Sequence, residues 1–317
     1  MTGAKHEAGL GVVASLSELI ALRAHGQADL LRRVASVAIS PGSHASSRKS
    51  RGMEFAESRP YQSGDDVRAL DWRQTARRGR PYTKLFQEEH ERPVQLLVDL
   101  GPSMRFGTRV AFKSVVAARA AALLAWRAVA AGDRVGGLVW NGGEMRAIRP
   151  QGRQHGVLTL LGCLAAASAA PPVTPTLGLA TPLHSLARSL RPASRIVIIS
   201  DFTTLDAEAE RQIMALAGSA ELLLLQVYDR FEADAPPPGR YELTDGQRNV
   251  SLNLRSSAAR SAYGAAFAER RLALEKLARR TGATLVPLAT HLAPQAVLAP
   301  TLLQGPSRRV TSSRVAP

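Results

Sequence analysis

A chain of 317 residues with 45% hydrophobic content can bury one large core, or one core and a small accessory module, which excludes disorder throughout. The formal charge of +15 invites a nucleic-acid reading. Between Arg48 and Lys84, however, the basic residues are interleaved with Glu54, Glu57, Asp65, Asp66 and Asp71, which speaks for internal ion pairs rather than a one-sign phosphate stripe.

In chain order, apolar positions at Leu16, Leu19, Ile20, Leu22, Leu30, Leu31 and Val34 predict one or two short amphipathic helices broken near Gly26. Ser40 to Arg51 reads as a loop, and Gly52 to Glu89 is dense in aromatic and charged residues with little helical periodicity. From Val94 the pattern becomes alternating strand and helix. Val94 to Asp99 is an apolar run ending in an acid, the mark of a strand buried on both faces. An Ala-rich helix follows over about Arg109 to Ala131, then a strand from Arg134 to Trp140, a turn at Asn141-Gly142-Gly143 and a returning edge strand over Glu144 to Arg149. Helices are expected over His155 to Ala169 and Leu183 to Leu190, with a Pro- and Thr-rich loop between them. Arg195 to Ser200 is a second apolar run, capped by Asp201; a helix over about Leu205 to Ala217 and a third buried strand, Glu221 to Tyr228, come next. Two short strands, Arg240 to Leu243 and Val250 to Leu254, precede a last helix from Ser257 to Arg280 and a final strand, Thr284 to Leu288.

This alternation predicts parallel βαβ units with right-handed crossovers, an open doubly wound, Rossmann-like and mainly parallel α/β sheet. The expected division is an N-terminal helical and irregular module over 1–92, the α/β domain over 93–290 and a mobile tail over 291–317. Neither Val115 to Ala131, interrupted by Arg119 and Arg127, nor the shorter Glu221 to Tyr228 spans a bilayer, and residues 1–16 carry no secretory pattern. The single cysteine, Cys163, allows no internal disulfide and no cysteine metal cluster, so a reducing cytoplasm is expected.

In such sheets ligands sit beyond the carboxyl ends of the strands, where strand order reverses. Asp99 and Asp201 each end a core strand, with hydroxyls nearby from Ser103, Ser200 and Thr181. Two carboxylates and several hydroxyls make an oxygen-rich set suited to Mg²⁺; equally, strand-end acids can cap the helices that follow them. His90, His155, His184 and His291 stand in no ligand spacing, Ser103 lacks a Gly-x-Ser-x-Gly elbow, and Gly132-Asp133-Arg134-Val135-Gly136 lacks the lysine of a phosphate loop. No catalytic residue is expected.

The segment Gly52-Met53-Glu54-Phe55, Arg59-Pro60-Tyr61, Gly64-Asp65-Asp66-Val67-Arg68, Leu70-Asp71-Trp72, Thr75-Ala76-Arg77, then Lys84, Phe86 and Glu88-Glu89, resembles the signature of the bacterial domain of unknown function 58 family. The sequence after it is similar to a von Willebrand factor type A domain. Asp99-Leu100-Gly101-Pro102-Ser103-Met104 stands where that superfamily carries its metal-ion-dependent adhesion motif. Gly101 replaces the motif's first serine, which removes one hydroxyl ligand. The resemblance implies Asp99, Ser103, Thr181 (with Thr176 as the alternative) and Asp201 as the Mg²⁺ ligands. It further implies a non-enzymatic adaptor working with a MoxR-type AAA+ ATPase in chaperone-like assembly or maturation of other proteins. The alternatives are a metal-dependent phosphoesterase or nuclease using the two acids, and a basic nucleic-acid-binding protein. Within the signature, Gly64-Asp65-Asp66 is a turn signal, and Asp71, Trp72 and Arg77 suggest a buried carboxylate–guanidinium pair beside an indole, extended by Arg59, Tyr61 and Arg68 into a partner-docking module.

Overall fold

The computed structural model describes residues 11–26, 53–62, 67, 70–88, 93–171, 178–191, 194–244 and 249–298. Gly64, Asp65, Asp66, Arg68 and Thr176, and the expected tail beyond 298, lie outside them. The chain divides into two compact units, one of residues 33–91 and one of residues 1–32 with 92–317.

The smaller unit is a two-stranded antiparallel sheet, β1 (Met53–Pro60) against β2 (Tyr82–Glu88), with helix α2 (Trp72–Arg78) between them in sequence. The segment expected to be irregular is therefore a hairpin. Its strands escape pattern reading because Glu54, Glu57 and Arg59 interrupt Met53–Pro60 and Lys84, Gln87 and Glu88 interrupt Tyr82–Glu88, so no apolar run marks either. Asp71 caps α2, its side chain accepting from Gln74 N, and Gly79 closes the helix in the left-handed region.

The larger unit is α/β, with a mainly parallel six-stranded sheet in the order β10-β7-β6-β3-β4-β5. Its strands are β3 (Pro93–Asp99), β4 (Arg134–Trp140), β5 (Met145–Gln151), β6 (Arg195–Ser200), β7 (Glu221–Tyr228) and β10 (Thr284–Ala289). All neighbours run parallel except β5, which turns back on β4 as an edge strand. The Asn141 side chain holds that turn, accepting from Gly143 N and Glu144 N. The two strand candidates near residue 245 form a separate hairpin, β8 (Arg240–Thr244) with β9 (Asn249–Asn253).

Each core strand buries both faces, so alternate residues feed two apolar layers. Leu96, Val98, Val197 and Ile199 face α3 (Lys113–Ala130), α4 (Arg153–Ala169) and α1 (Leu16–Ala21). Leu97, Ile196, Ile198 and Leu224 face α5 (Ala180–Arg188), α6 (Ala207–Ala217) and α8 (Ser257–Thr281). Burial of α3 on nearly all sides explains its run of alanines, since only small side chains let a helix sit so close to sheet and neighbours.

Both ends of the expected division need correction. Helix α1 packs with the α/β unit, not with the signature: Leu19 is fully buried, its carbonyl accepts from Trp126 Nε1 at 3.1 Å, and Ala14 N donates to Ser168 Oγ at 2.9 Å. Residues 291–298, assigned to a tail, include α9 (Pro294–Val297) and a fully buried Leu298 whose carbonyl accepts from Arg127 at 2.7 Å.

Candidate functional site

From β3 the chain moves outward to β4 and β5, then returns to the other side of β3 as β6 and continues to β7 and β10. Strand order therefore reverses between β3 and β6, and the carboxyl ends of these two strands carry Asp99 and Asp201. The structure brings the two acids together from about a hundred residues apart. Both are buried, Asp99 at 2% and Asp201 at 7% exposure.

The polar chain at the tips is closed on itself. Asp99 Oδ1 accepts from Gly101 N at 2.8 Å, and Asp99 Oδ2 from Ser200 Oγ at 2.6 Å. Ser200 Oγ in turn accepts from Phe202 N at 3.0 Å. Phe202 has φ of 56°, a left-handed conformation that costs a bulky residue on the order of 1–3 kcal/mol and persists where its surroundings dictate it. Here the ring is buried in the second apolar layer and the backbone is held by Ser200. Asp201 Oδ1 accepts from Thr203 N and Thr203 Oγ1, and Asp201 Oδ2 from Lys113 Nζ at 2.7 Å.

Lys113, absent from the sequence expectations, opens α3 and is 1% exposed. Its ammonium also donates to Glu232 Oε1 at 2.7 Å and lies 5.9 Å from the centre of the Phe106 ring. Glu232 belongs to α7 (Arg230–Ala233), where it forms a capping box with Asp229. Asp229, just past β7, accepts from Thr108 N, Thr108 Oγ1 and Thr290 Oγ1. Three strand ends and the loop after β3 are thus tied by side chains. The overlooked signal was a lysine at the first turn of an apolar helix, where a cation opposes the helix dipole and needs a carboxylate to hold it.

Electrostatics separates the two acids. Burial, reinforced by the negative charge of Asp201, pushes the Asp99 carboxyl up to about 7 against the pull of Ser200, Gly101 and Lys113. Burial also works against ionised Asp201, but the Lys113 ammonium and the Thr203 donors outweigh it and hold this carboxyl below its ordinary range. Lys113, penalised by burial, is held above its usual value by Asp201 and Glu232.

The remaining expected ligands do not converge. Ser103, half-buried in a 3-10 turn (Pro102–Met104), makes no hydrogen bond to either acid, nor does Thr181 in the first turn of α5. A Cβ added at Gly101 would stand 3.0 Å from Asp99 Oδ1, so a serine there would crowd the carboxylate it is meant to assist. Among the described residues no group of three or more His, Cys, Asp and Glu is arranged to hold a metal ion. Mg²⁺ needs a near-octahedral oxygen shell, and here the acids are engaged by protein donors, one of them an ammonium; the donor set does not fit it.

In the signature unit, Asp71 is buried and accepts from Ser58 Oγ at 2.7 Å besides capping α2. The expected pair with Arg77 is not formed: Arg77 is exposed, and Trp72 is 70% exposed rather than stacked beside it. The first backbone N–H groups of α2 need an acceptor, and Asp71 at the cap position serves them. Arg59 is half-buried and donates to the Pro60 carbonyl at 3.1 Å, and Tyr61 is half-buried with its backbone N–H on the Pro81 carbonyl.

The family model described as "Protein of unknown function DUF58" matches residues 57–273. The chain belongs to the DUF58 family. The DUF58 match spans the signature hairpin from β1 onward and most of the α/β unit, including Asp99, Lys113, Asp201 and Glu232. Among curated relatives, "Uncharacterized protein Rv1480" of Mycobacterium tuberculosis (strain ATCC 25618 / H37Rv) is 33% identical over 251 residues, covering 78% of each chain. "Uncharacterized protein Mb1516" of Mycobacterium bovis matches equally, at 33% over 251 residues and 78% of each chain. Of solved structures, an aerotolerance-related membrane protein from Bacteroides fragilis is similar with a TM-score of 0.42 at 16% identity, covering 65% of this chain and 96% of that one. The conserved hypothetical protein BatB from Bacteroides thetaiotaomicron is similar with a TM-score of 0.39 at 15% identity, covering 62% and 90%. Among the described residues no helix is long and apolar enough to cross a membrane.

Proposed function

We propose that this DUF58 chain is a non-enzymatic, cytoplasmic protein-binding adaptor with a von Willebrand factor type A-like unit, acting with a MoxR-type AAA+ ATPase in chaperone-like assembly or maturation of other proteins. The observation that carries this reading is the closed polar chain at the switch point. Every carboxylate oxygen of Asp99 and Asp201 already has a donor from the chain itself. Acids spent in this way brace the strand tips; they do not present a free base, nucleophile or metal ligand, which is the demand of the competing phosphoesterase or nuclease reading.

What such bracing presents to a partner is the rim around the tips: exposed Thr108, Arg109 and Val110 in the loop after β3, and exposed Thr203 and Thr204 after β6. A rim of polar side chains with one exposed apolar residue, set on braced strand tips, is suited to docking a folded surface. The von Willebrand-like assignment rests on the Asp99 to Met104 motif lying at a switch point, with an antiparallel edge strand on an otherwise parallel sheet. The MoxR-type partner rests on the family resemblance, and the site offers it a surface rather than a shared metal ion.

The test is size-exclusion co-elution of the purified chain with the MoxR-type ATPase of its own organism, in ATP and in ADP. Complex formation that is lost in a Val110→Glu/Thr204→Glu variant of unchanged melting temperature supports the reading. No complex with either nucleotide, together with phosphodiester hydrolysis that stops on chelation, or binding to DNA that falls steeply with salt, overturns it.

A further inference from the structure

We propose that the Lys113 ammonium is the resident cation of the strand-end site, holding the Asp201 carboxylate that the adhesion motif would give to a divalent metal, so that the carboxyl edge of the sheet is assembled without one. The inference stands independently of the adaptor reading.

Geometry carries it. Lys113 comes from the helix that follows β3, Asp201 from the tip of β6, and Glu232 from the turn after β7. One ammonium at 2.7 Å from a carboxylate oxygen of Asp201 and of Glu232 therefore ties the start of the helix after β3 to the chain just beyond β6 and β7, the kind of cross-link a bridging divalent ion makes. A lysine with 1% exposure is held only where its charge is matched and its protons are accepted, and these two carboxylates supply both. The location is otherwise a poor one for a cation, at the first residue of an 18-residue helix whose amino end is already positive. Phe106 covers the ammonium with its ring, adding attraction from the aromatic face.

The other features of the site agree with a covalently tethered cation. Gly101, which deprives a metal of a hydroxyl, gives room for Asp99 Oδ1 to turn back onto the Gly101 N–H. Ser200 spends its hydroxyl on Asp99 and on the backbone of Phe202. A Mg²⁺ ion drawn to Asp201 would meet an ammonium already bonded to that carboxylate, and two cations at such range repel strongly in a buried setting.

Three proteins, wild type, Lys113→Arg and Lys113→Ala, are melted in chelator, in Mg²⁺ and in Mn²⁺, and Mn²⁺ binding to each is followed by the loss of its free electron paramagnetic resonance signal. The wild type is expected to melt at one temperature in all three solutions and to leave the Mn²⁺ signal unchanged, and Lys113→Arg to behave likewise. Lys113→Ala is expected to melt lower in chelator and to regain part of the loss in Mg²⁺ or Mn²⁺, because Asp201 and Glu232 then lack their cation. A wild-type melting temperature that falls on chelation, with saturable Mn²⁺ binding, overturns the proposal. The wild-type measurement decides even if Lys113→Ala does not fold.

Discussion

Ser200 Oγ donates to Asp99 Oδ2 across 2.6 Å, so a hydroxyl at the end of β6 is fastened to an acid at the end of β3 at the point where the sheet changes direction. This bond ties the two strand tips, and it lies in a region dry enough to change how Asp99 titrates.

The first prediction concerns pH. The folded-state value of Asp99, about 7, lies above the 3.8 of an ordinary aspartate, so folding binds its proton more tightly. The stability this contributes is fully present below the unfolded value and is lost as pH rises through about 7. A single such group gives a slope of at most about 1.4 kcal/mol per pH unit between the two values. Asp201, whose value is lowered, and Lys113, whose value is raised from 10.5, titrate outside that window. Urea unfolding from pH 5 to pH 8 should show wild-type stability declining, while Asp99→Asn, which keeps a neutral side chain, shows a shallower decline and is the more stable of the two at pH 8. An identical slope in both proteins would refute the assignment.

Gly101→Ser tests whether the missing motif serine can be restored. The new Cβ meets Asp99 Oδ1 at 3.0 Å, and this crowding of a packed site should cost about 1–2 kcal/mol. Lower stability without any gain in Mg²⁺ affinity by calorimetry is the expected result; tight Mg²⁺ binding would show that the glycine alone had disabled a metal centre.

In the signature unit, Asp71 and Trp72 should separate cleanly despite being adjacent. Asp71→Ala removes the α2 cap and a buried acceptor for Ser58, a loss of about 0.5–2 kcal/mol by thermal or urea melting. Trp72→Ala should leave stability within about 0.5 kcal/mol, because the side chain is 70% exposed. If Trp72 serves docking, its removal weakens partner co-elution without moving the melt.

Leu19→Ala should destabilise the α/β unit by about 2–5 kcal/mol, since Leu19 of α1 is fully buried in the apolar layer it shares with α3 and α4. A loss confined to the signature unit, read by hydrogen exchange at β1 and β2, would restore the grouping expected from sequence.

The strands of the α/β unit were legible because their side chains answer to a local rule. Val94 to Asp99, Arg195 to Ser200 and Glu221 to Tyr228 are apolar throughout, which a strand buried on both faces requires. Asp99 and Asp201 could be assigned to strand tips for the same reason. Their isolation from water could not, because it depends on Lys113, Phe202 and Thr203, which the chain delivers from elsewhere. Asp71 illustrates the opposite failure. A nearby arginine suggested a pair, but the need of a helix start for an acceptor was nearer still. The sequence of α1 marks a helix without marking its neighbour, since an amphipathic stripe records that one face is covered without recording by what.

The attachment of α1 has a consequence for synthesis. Ala14 finds its acceptor on Ser168, 154 residues later, and Glu18 finds Arg119 101 residues later, with the β1–β2 hairpin lying between them in the chain. A ribosome releases α1 long before anything exists for its apolar face to cover, so the nascent segment must wait unprotected until α3 and α4 emerge. Closing so long a loop is slow by nature, which marks this docking as a late event in the birth of the molecule and the interval before it as the time when a holding chaperone has most to offer.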